Sequence, residues 1–320
     1  MRLAAFAFLL VLLGPAAAAA EEPTSRLSAD AQAALDYLSH QTDAQGSFPP
    51  GFAALVAEGA LRAGKDFASW PASHPIASDL AVAVANTSSL GAIRAAYVLG
   101  LAQPDPDPNA FLPAQIQARA DDVQLLDDDT WTVLALRAWG APPDSTLLTS
   151  HVETLLEGQS KDGGWGWATG GKPDADSTGM VMTALHGIPG TAPALQAAVP
   201  YLASTEHAGG GHGTAPNQAP NCDSTVWAMR GLHQAGAAIP AADWSFLAHL
   251  RNPDGGFAYQ PSQASNPLCT AEVAAWLAQA SAEDLDAEGY VAKAPSPAAA
   301  LDGVLLLACA VLLRRREPQA

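Results

Sequence analysis

Apolar residues recur along this chain in runs with helical rather than strand periodicity. Segments such as Trp131 to Trp139 (WTVLALRAW), Gly179 to Leu185 (GMVMTAL), Val226 to Leu232 (VWAMRGL) and Ala271 to Gln279 (AEVAAWLAQ) place apolar side chains three and four apart, the spacing of one helix face. No long stretch alternates with period two, so the pattern predicts an all-α fold. An Asp or Ser with Thr opens each segment: Asp128-Asp129-Thr130, Asp176-Ser177-Thr178 and Asp223-Ser224-Thr225, with Leu268-Cys269-Thr270 as a variant. These triplets are expected as N-caps. A second set of helices precedes them, over 144–158, 192–205 and 241–251. Upstream, helices are expected at about 27–41, 52–64, 75–85, 90–101 and 112–120.

The starts recur. Thr130, Thr178, Thr225 and Thr270 are spaced by 48, 47 and 45 residues, a period that means stacked supersecondary units. Each unit also carries a glycine-aromatic loop. Asp162-Gly163-Gly164-Trp165 recurs as Asp254-Gly255-Gly256-Phe257, with a degenerate copy at Ala208 to His212 and an early one at Gln41 to Phe48. Glycine permits tight turns there, and the aromatic is expected to pack over a helix end and tie one unit to the next. Six such hairpins can close into a ring with an inner and an outer layer of helices, which removes the exposed ends of an open solenoid.

Gln159-x-x-x-Gly163-Gly164-Trp165 resembles the Gln-Trp repeat of squalene–hopene cyclases and protein prenyltransferases. The resemblance covers roughly residues 27–281 and is strongest over 128–281. It implies an α/α toroid of about six helical hairpins. In the cyclases an Asp-x-Asp-Asp-Thr motif protonates an alkene. Here Leu126-Asp127-Asp128-Asp129-Thr130 keeps the Asp-Asp-Thr end, which makes Asp128 and Asp129 the catalytic candidates, while Leu126 replaces the first aspartate. The prenyltransferases hold zinc through Asp, Cys and His near inner helix starts; Cys222 and Asp223, with His212, are the residues nearest to that pattern. No cofactor is expected on balance, zinc being the alternative. A fold of this kind does not settle function.

The mature domain has two cysteines, Cys222 and Cys269, and in an exported chain an even pair suggests a disulfide, here expected across equivalent positions of adjacent repeats. In a toroid the inner helix N-termini and their preceding loops surround one mouth, where polar groups and loop aromatics form a small-molecule site. The ligand-binding candidates are therefore Trp167, Asp176, His212, Asp223 and Tyr259.

The ends and the charge set the context. Residues 1–20 read as a secretory signal peptide, 21–281 as the repeat domain, 282–297 as a linker, and 298–320 as a hydrophobic anchor or sorting tail ending in Arg314-Arg315-Arg316. The expected location is outside the membrane, on the periplasmic or cell-surface side. A net charge of −17 excludes nucleic acid as a partner. The remaining expectations are a non-catalytic module binding a small molecule, a lipid or an envelope protein; an isoprenoid-processing enzyme; or a structural scaffold.

Overall fold

The computed structural model describes residues 23–85, 90–102 and 125–283, together with 285, 287, 289 and 290. The expected leader, the helix at 112–120 and the apolar tail lie outside the described residues. Among the described residues there are eleven helices: α1 Pro23–Leu38, α2 Pro50–Arg62, α3 Ile76–Ala85, α4 Leu90–Ala102, α5 Leu126–Ala138, α6 Thr146–Glu157, α7 Ala175–Leu185, α8 Ala192–Thr205, α9 Cys222–Gln234, α10 Ala241–Leu250 and α11 Pro267–Ala282. None is long and apolar enough to cross a membrane.

Six of them form an inner ring. Helix α2 packs on α4, α4 on α5, α5 on α7, α7 on α9, α9 on α11, and α11 returns to α2. The remaining helices lie outside, each against its inner neighbours. The first and last described helices meet at the closure, where α1 also packs along α11. The chain is thus an α/α toroid. Two contacts set how closely inner helices approach. At Gly179 of α7 an added Cβ would lie 2.0 Å from the Trp227 carbonyl of α9, and at Gly59 of α2 it would lie 3.2 Å from the Ala275 nitrogen of α11.

The repeat loops work as ties. The backbone N–H groups of Trp165, His212 and Phe257 each donate to the threonine thirteen residues on, Thr178, Thr225 and Thr270, at 2.9 Å. Each loop also caps the inner helix of the preceding unit. The carbonyls of Trp167, Thr214 and Tyr259 accept from Asp127, Ala175 and Cys222 at 3.4, 2.9 and 2.9 Å. These N–H groups belong to helix first turns and have no partner within their own helix. Gly163, with φ +91°, lies against the Ala197 carbonyl of α8, where a Cβ would be 2.0 Å away. Gly210 sits likewise on Ala242 of α10, and Gly255 on Ala33 of α1, which carries the series across the closure. Gln159 completes its copy by donating to the carbonyls of Gly163 and Ala194, both at 2.8 Å.

The helix starts differ from expectation in one respect. The triplets do not supply the caps. The caps are Asp174, Asn221 and Asn266, each four residues before the repeat threonine, and each accepts from the N–H three residues on. The helices begin one turn earlier than the apolar periodicity suggests. Asp176 and Asp223 therefore stand inside the first turn, and their carboxylates are not used as caps.

Candidate functional site: an acidic mouth above a plugged lumen

Successive hairpins run all inner helices in the same direction, so their N-termini share one mouth. With a rise of about 1.5 Å per residue, side chains at equal depth form layers. The mouth layer holds Asp128 of α5, Asp176 of α7 and Asp223 of α9, each two residues before its repeat threonine. About 6 Å further in comes Trp227 of α9, with Glu272 at the same repeat position of α11 and Trp131 of α5 one residue earlier. Another turn in lie Glu58 of α2, Tyr97 of α4 and Arg230 of α9.

The inner layers are filled. Arg230 donates to Glu58 Oε1 at 2.7 Å although 172 residues separate them. Arg62 reaches the same oxygen at 3.0 Å, and Tyr97 donates to it at 3.4 Å. Burial would raise the Glu58 carboxyl, but the Arg230 and Arg62 guanidiniums outweigh that and hold it at about 2. Above this layer Trp131 and Trp227 meet edge to face at 6.2 Å. Arg230 covers the Trp227 ring at 4.4 Å and Arg94 covers Trp131 at 4.7 Å.

The mouth layer, together with Glu272 just beneath it, is unlike this. Oδ1 of Asp176, Oδ1 of Asp223 and Oε2 of Glu272 are buried and have no hydrogen-bond donor other than a neighbouring carboxyl. Glu272 is 9% exposed, and its other oxygen accepts from Trp227 Nε1 at 3.2 Å. Burial pushes Asp176 up to about 6 despite the Ser224 hydroxyl, and the Asp174 and Asp223 charges add to the rise. Burial also raises Asp223. It raises Glu272 well above the carboxylate range, with the Asp223 charge adding to it. Asp223 and Glu272 lie side by side, and two carboxyl groups so placed bond to each other only by sharing a proton. The charges that bear most on Asp176 and Glu272 are those of other acids. Tyr259 faces them from the loop, and burial first, then the Asp223 and Asp176 charges, raise its hydroxyl.

Asp128 shares the mouth layer, and the other sequence candidates fall elsewhere. Asp129 bonds His151 of α6 at 2.6 Å, on the outer side of the ring. Asp128 is buried in the first turn of α5. Its neighbour Asp127 is matched by Arg94 at 3.7 Å and by Trp131 Nε1 at 3.2 Å. Trp167 is 58% exposed at the rim. His212 is fully buried in the place that Trp165 and Phe257 hold in other units, bonded to Thr205 at 3.0 Å and Asp243 at 3.1 Å. Glu272 did not stand out in the sequence. Its counterparts Trp227, Met180 and Thr132 are not acidic, so no repeat signal marks it.

Cys222 and Cys269 form a disulfide with Cα atoms 6.0 Å apart. They are not at equivalent positions. Cys222 stands three residues before its threonine and Cys269 one before, and the offset lets α9 and α11 be stapled at the mouth. The sulfurs and an Asp223 oxygen lie within 4.8 Å of one another. This is the one group of three potential metal donors so close among the described residues, and its sulfurs are bonded to each other.

A closed α/α ring with glycine-aromatic ties and one acidic mouth is thus the class of structure the chain defines. Among solved structures it is similar to protein geranylgeranyltransferase-I from Candida albicans, solved with GGPP, at 15% identity and a TM-score of 0.40, over 49% of this chain and 48% of that one. It thus spans about half of that protein. It is also similar to the type II terpene cyclase MstE from Scytonema, at 14% identity and a TM-score of 0.45, over 81% of this chain and 99% of that one. An MstE variant in complex with merosterolic acid A matches at 18% identity and a TM-score of 0.43, over 81% and 98%. No protein-family model matches the sequence, and none of the curated proteins is similar to it in sequence.

Proposed function

We propose that the chain is an exported, membrane-anchored binding module that holds a small-molecule ligand at its acidic mouth. The observation that carries this reading is the set of three buried carboxylate oxygens, on Asp176, Asp223 and Glu272, for which the protein supplies no donor but the proton that Asp223 and Glu272 share. Buried polar groups are nearly always satisfied, and a ligand is the missing partner. The filled layers beneath support a shallow site: the Glu58–Arg230 pair and the two indoles occupy the space that a long isoprenoid chain needs. The leader and the arginine-ended tail read from the sequence support a location on the outer side of a membrane.

The test is native mass spectrometry of the full chain, exported in a bacterial host and exposed to a small-molecule extract of the cell envelope. The expected result is a retained mass in the wild type that is lost in Glu272→Gln. A bare mass in both proteins sinks the reading and leaves a scaffold.

One observation favours a second reading, an acid catalyst acting on an isoprenoid. The Asp223–Glu272 pair holds a proton well above the usual carboxylate range, as a general acid must near neutrality. On this reading the acid is the pair and not Asp128 or Asp129. Product formation from a panel of polyprenyl substrates, abolished in Glu272→Gln, is what it requires.

A further inference from the structure

The chemistry of the mouth narrows the ligand; this inference rests on the binding reading above. Three features bear on it. First, the charge is of one sign. Asp176, Asp223 and Glu272 come from α7, α9 and α11, three successive helices of the ring, and Asp174 adds a fourth carboxylate beside Asp176. The neighbouring groups that titrate are Tyr259, which bears on all three carboxylates, and Tyr201, whose hydroxyl Asp174 and Asp176 raise further after burial. Neither tyrosine carries positive charge. Second, Glu272 is nine-tenths buried with one oxygen bound to Trp227 and the other with no donor but a neighbouring carboxyl. Helix N-termini favour carboxylates, which accounts for acids in the first turns. It does not account for Glu272, which stands a turn deeper and is repelled by Asp223.

Third, the donors are spread. The carboxylates of Asp176, Asp223 and Glu272 do not form a group within 4.8 Å among the described residues; the group that does contains only Asp223 of the three. A single metal ion needs oxygens around it at about 2.0–2.6 Å. A spread set of acceptors suits a cation with several N–H donors on a carbon frame. The surroundings agree: the Trp227 indole stands behind Glu272, the Tyr259 hydroxyl faces the acids, and Asp176 and Asp223 remain partly exposed toward solvent.

We propose that the acidic mouth binds a small organic cation, an alkylammonium or a diamine, with one ammonium group seated between Asp223 and Glu272 and a second charge or the solvent-facing end at Asp176. Seating the ammonium requires the proton shared by Asp223 and Glu272 to leave to solvent, so binding releases protons below neutral pH.

Calorimetric titration of the full chain tests this with three probes: 1,4-diaminobutane, its neutral counterpart n-butanol, and calcium chloride. The expected result is binding of the diamine, weakened about tenfold or more in Glu272→Gln, with no detectable binding of butanol. Titration in buffers of different ionisation enthalpy should show proton release at pH 6. Asp176→Asn, at a partly exposed position, provides a second variant should Glu272→Gln fail to fold, and a several-fold loss of diamine affinity is expected there too. Diamine affinity unchanged in both variants, or no diamine binding at all, overturns the proposal. Calcium binding without diamine binding overturns it in favour of an inorganic ion. Butanol binding as well as the diamine, with both lost in the variants, leaves a mouth that binds ligands and removes the cation, so the general reading survives that outcome.

Discussion

Seven residues along α9 separate Asp223 from Arg230, and the ring treats the two ends of that interval in opposite ways. At Arg230 every charge has a counterpart. The guanidinium meets Glu58, Arg62 joins it, and Tyr97 supplies a hydroxyl. At Asp223 the nearest partner is another acid, and three carboxylate oxygens find no donor but a shared carboxyl proton. Both layers are buried. Only the first is compensated, and the Glu58 carboxyl is accordingly held low while Asp176, Asp223 and Glu272 are driven up. The difference separates a polar group kept for architecture from one kept for an absent partner. Burial does not distinguish them, and neither does a single unmatched atom, since Arg230 Nε also lacks a partner; the balance of charge does.

The largest effect that breaks the comparison is expected in the compensated layer. Glu58→Ala strands Arg230 in the lumen without a counter-charge, and breaking such a pair costs about 3–5 kcal/mol. Chemical denaturation at pH 7 measures it. The same layer predicts acid sensitivity. The folded Glu58 carboxyl titrates at about 2, below its unfolded value, so its contribution is full above pH ~4.5 and is lost as pH falls toward 2. In a pH series of unfolding midpoints, Glu58→Gln should lose that acid slope. A Glu58→Ala stability within error of wild type would place the pair outside the architecture and dissolve the contrast.

The second effect concerns how the mouth is held. The Cys222–Cys269 bond joins the first turns of α9 and α11, the helices that carry Asp223 and Glu272. Reduction is expected to lower stability by about 2–4 kcal/mol. It should also reduce the mutual repulsion at the mouth by letting the two helix ends part. Paired denaturation curves with and without reductant, repeated on Glu272→Gln, measure both parts: the loss on reduction should be larger in the variant, where there is no repulsion to relieve.

These two layers were unequally legible in the sequence. The ring was readable because its ties repeat: Thr130, Thr178, Thr225 and Thr270 keep their spacing, and three of them accept the loop N–H that the architecture needs. Asp176 and Asp223 were visible as part of the same repeat. Glu58 with Arg230 was not, because a contact across 172 residues leaves no periodic trace. Glu272 was hidden for the same reason. His212 shows the opposite error. It drew notice as a lone imidazole near the mouth, yet it fills the buried place of Trp165 and Phe257 and answers to Asp243. The aspartates read as caps were one turn too deep to cap, and Asp174, Asn221 and Asn266 do that work.

The smallest effect is also the one of opposite sign, and it sharpens the comparison most. Asp176 titrates at about 6 in the folded chain against about 3.9 unfolded. Between those values the folded state holds the extra proton, so stability falls as pH rises from ~4 to ~6 and is level above that. A charge that destabilises its own fold at neutral pH should improve it on removal. Asp176→Asn is therefore expected to gain about 1–2 kcal/mol at pH 7.5, to gain little at pH 4, and to flatten the midpoint curve between. The equivalent test in the compensated layer gives a loss at every pH above 4.5, so the two variants should move the same thermal-shift assay in opposite directions. A loss for Asp176→Asn at pH 7.5 would mean that its carboxylate has a donor after all, and the mouth would then be one more satisfied layer of the ring.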